Sequence, residues 1–148
     1  MSALTAILSA AAVLALAQVE AGNRAYRRGG VEEAVAAYRR AVEKKPDDAA
    51  ARYNLGTAYL ADGRADAALP HLARATEAEP PELRARAFYN LGTAHLSRAA
   101  DGDRESALRA VDAFRQALLL QPEDRDAKWN LELALRRLEE PPAPKSPE

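Results

Sequence analysis

One pattern recurs along this chain, and its period sets the kind of fold available. Asn54-Leu55-Gly56-Thr57-Ala58 returns as Asn90-Leu91-Gly92-Thr93-Ala94. Ala34, Tyr38, Ala41 and Pro46 return 34 residues later as Ala68, Leu72, Ala75 and Pro80, and a further 42 later as Ala110, Phe114, Ala117 and Pro122. A period near 34 marks a helical repeat array, in which no unit buries its apolar face alone. Such arrays present elongated grooves, and grooves bind chains.

The departures from the period are informative. Gly56 and Gly92 are 36 apart, and the two additional residues fall at Pro81-Glu82, between units. Ala68 follows Gly56 by 12 residues, whereas Ala110 follows Gly92 by 18. Six residues are therefore inserted inside the third unit, around Arg98 to Glu105. Lengthening a turn from about 3 to about 9 residues costs only about 1 kcal/mol of closure entropy, so an extended loop is expected there.

The 148 residues suit one domain with a continuous core. Alanine makes up about a quarter of them, which favours helix and lets helices approach closely. The net charge of -1 argues against a nucleic-acid binder that relies on phosphate contacts. No cysteine is present, so there is no disulfide framework and no thiolate chemistry.

The two ends differ from the middle. Residues 1–17 carry no charged side chain, and the 15-residue run ALTAILSAAAVLALA reaches about 22 Å as a helix, short of a bilayer core of about 30 Å. The segment fits a signal peptide, with Ala15-Leu16-Ala17 as a small-x-small cleavage site, or a short apolar anchor. A basic n-region is lacking, and the alternative is an Ala-rich helix packed on the first unit. Residues 140–148 are rich in proline, which lacks the amide donor a helix needs, and are expected to form a flexible tail.

Between them the pattern predicts helices over 18–28, 31–44, 49–61, 65–78, 82–98, 104–120 and 125–139. Asp47 or Asp48 is placed to cap the third of these and Asp124 the last. Ala34, Tyr38 and Ala41 recur at helical spacing as a stripe facing the partner helix. The last helix repeats Trp129-Asn130-Leu131 but has Glu132 in place of glycine, as suits a capping helix with one solvated face.

Leu55, Gly56, Tyr59, Ala68, Ala75 and Pro80 match the tetratricopeptide repeat (TPR) signature, and residues 18–139 resemble that family. Ala21 stands for leucine in the first unit and His95 for tyrosine in the third. The resemblance implies an all-α, TPR-type α-solenoid of three antiparallel helix pairs, in units 18–46, 49–80 and 85–122, plus a C-terminal capping helix at 125–139. The apolar leader, GNRAYRRGGVEEA, ELRARAFYNLGTAHL, the enlarged third unit and DAKWNLELALRRLEE look like the TPR proteins of bacterial aerotolerance (Bat) operons. That family sits beside von Willebrand factor A domain membrane proteins. Its members often continue into a longer polar tail, which this chain lacks.

In TPR folds the first helix of each pair lines the concave face. The resemblance carries ligand contact to Asn23, Tyr26 and Arg27, to Tyr53, Asn54 and Thr57, to Arg86, Tyr89, Asn90 and Thr93, and to Trp129 and Asn130. Tyr53, Tyr89 and Trp129 each precede an asparagine, whose donor and acceptor suit a peptide backbone. The bland alternative is that these side chains seal neighbouring helices. Some TPR domains clamp a C-terminal carboxylate with two asparagines and three basic residues. Asn23 and Asn54 match, and Arg86 is basic, but Val19 and Asn90 stand where lysine and arginine are needed, so the clamp is incomplete.

Nothing in the sequence assembles an enzyme. His71 and His95 belong to no zinc-binding pair, and there is no glycine-rich phosphate loop and no GxSxG. Asp101-Gly102-Asp103 reads as a polar turn rather than a cation loop, because Asp112 occupies the twelfth position that such a loop reserves for glutamate. The expectation is a non-catalytic protein-protein interaction scaffold. It needs no cofactor or metal and binds a peptide or protein, with a von Willebrand factor A domain membrane protein as the implied partner. It would lie in the bacterial periplasm or envelope, or in the cytoplasm if residues 1–17 are only a helix. The alternative is a structural module that assembles with itself.

Overall fold

The computed structural model describes residues 3–100 and 102–139, with side chains described from residue 10 onward. The Pro-rich segment 140–148 and Asp101 lie outside the described residues. The chain divides into two compact units, one up to Ala75 and one from Thr76. All regular structure among the described residues is helical.

The first unit contains α1 (Ala3–Arg27), α2 (Val31–Lys44), α3 (Ala49–Ala61) and α4 (Ala65–Ala75). Two short turns fold these into hairpins, α1 on α2 and α3 on α4, with α2 also packed on α3. Both turns end a helix on a left-handed glycine, Gly29 at φ 80° and Gly63 at φ 71°, a conformation in which a Cβ would strain the chain. The freed carbonyls are recaptured: Gly30 N–H donates to Ala25 O at 3.0 Å and Arg64 N–H to Tyr59 O at 2.8 Å. Between the hairpins, Asp48 accepts from Ala51 N–H at 3.0 Å and caps α3.

The stripe expected from the spacing is the core. Ala34, Tyr38 and Ala41 on α2, and Ala68, Leu72 and Ala75 on α4, are all buried. Burying a side chain such as Leu72 contributes about 1.5–3 kcal/mol. The opposing helix makes room through a glycine. A Cβ on Gly22 would lie 2.5 Å from the Tyr38 ring, and one on Gly56 2.5 Å from Leu72 Cγ.

The second unit contains α5 (Pro81–Ala99), α6 (Arg104–Leu120) and α7 (Arg125–Glu139). Its core joins Ala110, Val111 and Phe114 of α6 to Ala134 of α7, with Tyr89, Leu96, Leu131 and Leu138 packed around them. Gly92 repeats the device of the first unit, since a Cβ there would meet the Phe114 ring at 2.7 Å. Asp124 accepts from Ala127 N–H at 3.0 Å at the start of α7.

Three boundaries differ from the sequence expectation. First, α1 begins at Ala3 rather than Gln18, because no breaker separates the apolar run from the helix after it. Second, α4 ends at Ala75 rather than Ala78. Pro80 has no N–H to offer the Thr76 carbonyl, and the residue before a proline is pushed out of helical geometry.

The third difference is the extended loop: the helices expected over 82–98 and 104–120 are observed as Pro81–Ala99 and Arg104–Leu120, so the insertion lengthens the hairpin rather than the connection. Ala99 ends α5 seven residues past Gly92, whereas Ala61 ends α3 five past Gly56. Arg104 opens α6 six residues before Ala110, whereas Ala65 opens α4 three before Ala68. Only one inserted residue goes to the connection. A long loop is cheap in closure entropy, but helix adds a hydrogen bond per residue and buries Ala99, Ser106 and Ala107. Asp103 seals the new start, accepting from Ser106 N–H at 3.0 Å and from its hydroxyl at 2.6 Å.

Candidate functional site

In the first unit, α1, α2 and α3 enclose an open cavity of about 180 Å³. It is lined by Asn23, Tyr26 and Arg27 from α1, Tyr38 from α2, and Asn54 and Thr57 from α3. Helical spacing brings these side chains together. Asn23, Tyr26 and Arg27 fall at i, i+3 and i+4, and Asn54 and Thr57 at i and i+3, so each set shares one face. The volume is below the roughly 300–1,000 Å³ of a small-molecule pocket, and suits one or two side chains of a bound peptide.

Tyr38 is the lining residue that sequence reasoning missed, because its spacing places it in the buried stripe. Its ring does lie in the core, over Gly22, while its hydroxyl donates to Asn23 Oδ1 at 2.8 Å. The signal was available: Leu72 and Phe114 hold the equivalent positions, and a tyrosine there needs a partner for its hydroxyl. Burial raises the Tyr38 pKa above its ordinary value, reinforced by Tyr26 and opposed by Arg27. The hydroxyl therefore keeps its proton at neutral pH and occupies the Asn23 carbonyl. The Asn23 side chain keeps a second carbonyl lone pair and its N–H2 donors for meeting a ligand. Tyr53, expected beside Asn54, is half-buried and does not line the cavity.

The second unit holds the remaining candidates. Asn130 Nδ2 on α7 donates to the Tyr89 hydroxyl on α5 at 3.1 Å, and Thr93 Oγ1 donates to Tyr89 O at 3.0 Å. The Tyr89 ring meets Phe114 edge-on, with centroids 5.9 Å apart. Tyr89, Thr93 and Asn130 thus form one network that ties α5 to α7. Arg86 and Trp129 are exposed; Arg86 Nε donates to Glu82 O at 3.4 Å, and the Arg136 guanidinium lies 5.8 Å from the Trp129 ring. Asn90 is half-buried and already engaged in its own surroundings.

Both histidines are held toward the neutral form. Burial lowers the pKa of His71, helped by Arg52 and Arg39, and Arg52 lies 3.3 Å from its Nδ1. The ring stacks on Tyr59 at 5.8 Å. Burial also lowers the pKa of His95, with Arg109 and Arg98 adding to it and Asp103 opposing, and its buried Nδ1 has no hydrogen-bond partner among the described residues. Among the described residues no group of three His, Cys, Asp or Glu side chains could hold a metal ion.

The Tetratricopeptide repeat family model matches residues 19–82 and 56–108, together more than half of the chain. The chain belongs to the tetratricopeptide repeat family. A curated relative, the TPR repeat-containing thioredoxin TTL4 of Arabidopsis thaliana, is 36% identical over 90 residues, which are 61% of this TPR chain and 12% of that protein. The chain therefore spans only a small part of that relative's length. Among solved structures, the first TPR of Spaghetti (RPAP3) bound to the HSP90 peptide SRMEEVD has a TM-score of 0.77 at 19% identity, covering 87% of this chain and 96% of that one. The Arabidopsis OM64 TPR domain has a TM-score of 0.74 at 23% identity, over 85% and 98%. The second TPR domain of human RPAP3, in complex with the HSP70 peptide SGPTIEEVD, has a TM-score of 0.72 at 22% identity, over 86% and 98%. The fold class expected from the repeat, an all-α TPR-type solenoid, is the class of these domains.

Proposed function

We propose that this TPR protein is a non-catalytic interaction module that binds a peptide or protein segment, with the cavity of the first unit as one anchoring point. The observation that carries this reading is the lining of that cavity. Five of its six side chains, Asn23, Tyr26, Arg27, Asn54 and Thr57, are those to which the resemblance to the TPR family carries ligand contact. They offer two amides, a guanidinium, two hydroxyls and an aromatic face, a set suited to peptide carbonyls and one anchored side chain. Similar TPR domains are described with the peptides SRMEEVD and SGPTIEEVD bound. The present chain has Val19 and Asn90 at two basic clamp positions, so its preferred peptide differs from these acidic tails.

The test is selection from a displayed heptapeptide library by the full chain, followed by fluorescence anisotropy of the selected peptides, with SGPTIEEVD as a reference. Asn54→Ala and Arg27→Ala are each expected to weaken the selected peptides by at least about tenfold, with unchanged helical circular dichroism. Unaltered affinity in both variants would remove the cavity from the binding surface.

The finer proposal is an adaptor in the bacterial envelope, partnered by a von Willebrand factor A domain membrane protein. It is supported by the apolar residues 1–17 and by the runs resembling the aerotolerance family. Co-purification of such a protein with the tagged chain, lost on Asn54→Ala, is the expected result.

A further inference from the structure

Over residues 10–17, α1 presents apolar side chains around more than half of its circumference. Val13, Leu14 and Leu16 are 66%, 51% and 63% exposed. Ala10, Ala12 and Ala17 are exposed too, while Ala15 is buried and Ala11 half-buried. At about 100° per residue these exposed positions span an arc of about 200°. A single docked helix covers a stripe of roughly 100°, so a second copy seated on α1 leaves about half of this surface in water. A fluid apolar phase covers all of it.

Charge points the same way. Hydrogen bonds from Tyr38 to Asn23 and from Arg40 to Gln18, the latter at 3.1 Å, set α2 antiparallel to α1. The last turn of α2 therefore lies level with the α1 residues just before Gln18. Arg39, Arg40, Lys44 and Lys45 are exposed at this end, against Glu43 and Asp48, the latter 3.5 Å from Lys45. Asp47 faces Arg74 at 3.6 Å. With Glu20, which lies level with Arg40, and the Asp47–Arg74 pair included, five cations stand against four anions, a small positive excess at the base of the apolar segment.

We propose that α1 inserts its N-terminal half into one leaflet of an anionic phospholipid bilayer, with Arg40 and Lys44 at the headgroups. The 19 residues before Glu20 carry no charged side chain and would reach about 28 Å at helical rise, against a core of roughly 30 Å. Among the described residues, no helix is long and apolar enough to cross a membrane. The proposed anchor is monotopic, holding the first unit against the surface. This inference goes beyond peptide binding and uses none of the cavity's side chains, so either can fail alone.

The experiment is flotation of the purified full-length chain with vesicles of phosphatidylcholine alone and of phosphatidylcholine with phosphatidylglycerol. Capture by both is expected, stronger with the anionic vesicles and weakened there by salt. Leu14→Asp/Leu16→Asp should cut capture at least about tenfold, whereas Arg40→Glu/Lys44→Glu should abolish only the preference for anionic lipid. Leu16→Trp provides an independent readout, a blue shift of indole emission beyond that of Trp129 when vesicles are added. Four results would overturn the proposal: no flotation of a helical protein, capture indifferent to Leu14→Asp/Leu16→Asp, a lipid-free dimer abolished by that pair without vesicle binding, or recovery from cells of a chain lacking residues 1–17.

Discussion

Replacing Gly92 by alanine tests how the hairpins are locked. The new Cβ would lie 2.7, 2.8 and 2.9 Å from three atoms of the Phe114 ring. That ring is fully buried and held edge-on against Tyr89, so it cannot turn aside as a flexible chain end could. Overpacking of this kind costs about 1–3 kcal/mol, while alanine recovers up to about 1 kcal/mol of helix propensity over glycine. Because the ring is fixed, the upper part of that range applies, about 2–3 kcal/mol, and the net expectation is a loss of about 1–2 kcal/mol, or a melting point lowered by about 2–8 °C. Urea and thermal denaturation followed by circular dichroism measure it. The double variant Gly92→Ala/Phe114→Ala should cost less than the sum of the two single variants, because alanine removes the ring atoms the Cβ meets. Unchanged or higher stability of Gly92→Ala, or strict additivity in the double variant, would refute the steric account.

Three further outcomes are expected. His71 and His95 both have folded pKa values below the ordinary 6.5, so the unfolded chain binds more protons as the pH falls from there. Stability should be level above that value, fall on acidification toward the lower folded values by at most about 1.4 kcal/mol per pH unit for each histidine, and lose this slope in His71→Gln/His95→Gln, as read from urea midpoints between pH 7.5 and about 5. Asp48→Ala removes the cap on Ala51 N–H and should cost about 1 kcal/mol by urea denaturation. Tyr38→Phe removes the hydrogen bond to Asn23 and should cost about 0.5–1.5 kcal/mol, with increased mobility of the Asn23 amide resonances in NMR spectra.

Much of the fold was legible because period and burial express one constraint. Ala68, Leu72 and Ala75 could be named as a core stripe from spacing alone, and they are buried together. The ends of α2, α3, α6 and α7 were equally readable, since Gly, Pro and Asp side chains terminate or cap them locally. The inserted residues of the third repeat were misread because loop entropy was weighed without the contacts of a longer hairpin. Ala99 shows what was left out: it is buried one residue past the expected end of α5. The candidate site was legible as a set of positions but not as a set of bonds. Spacing puts Asn23 one residue after Gly22, level with Thr57 and Thr93, and Asn130 at the position of Asn54 and Asn90. It cannot show that Asn23 accepts from Tyr38 while Asn130 donates to Tyr89, because both pairings depend on where another helix crosses.

The fit of glycine beneath a large side chain also bears on how such a chain can grow. Gly22 sits under Tyr38, Gly56 under Leu72 and Gly92 under Phe114, and in each case socket and plug belong to the same hairpin. A segment copied whole carries its own complementary halves, whichever hairpin comes to stand beside it. Lengthening the array by duplication therefore asks no matching change of the neighbours at this contact.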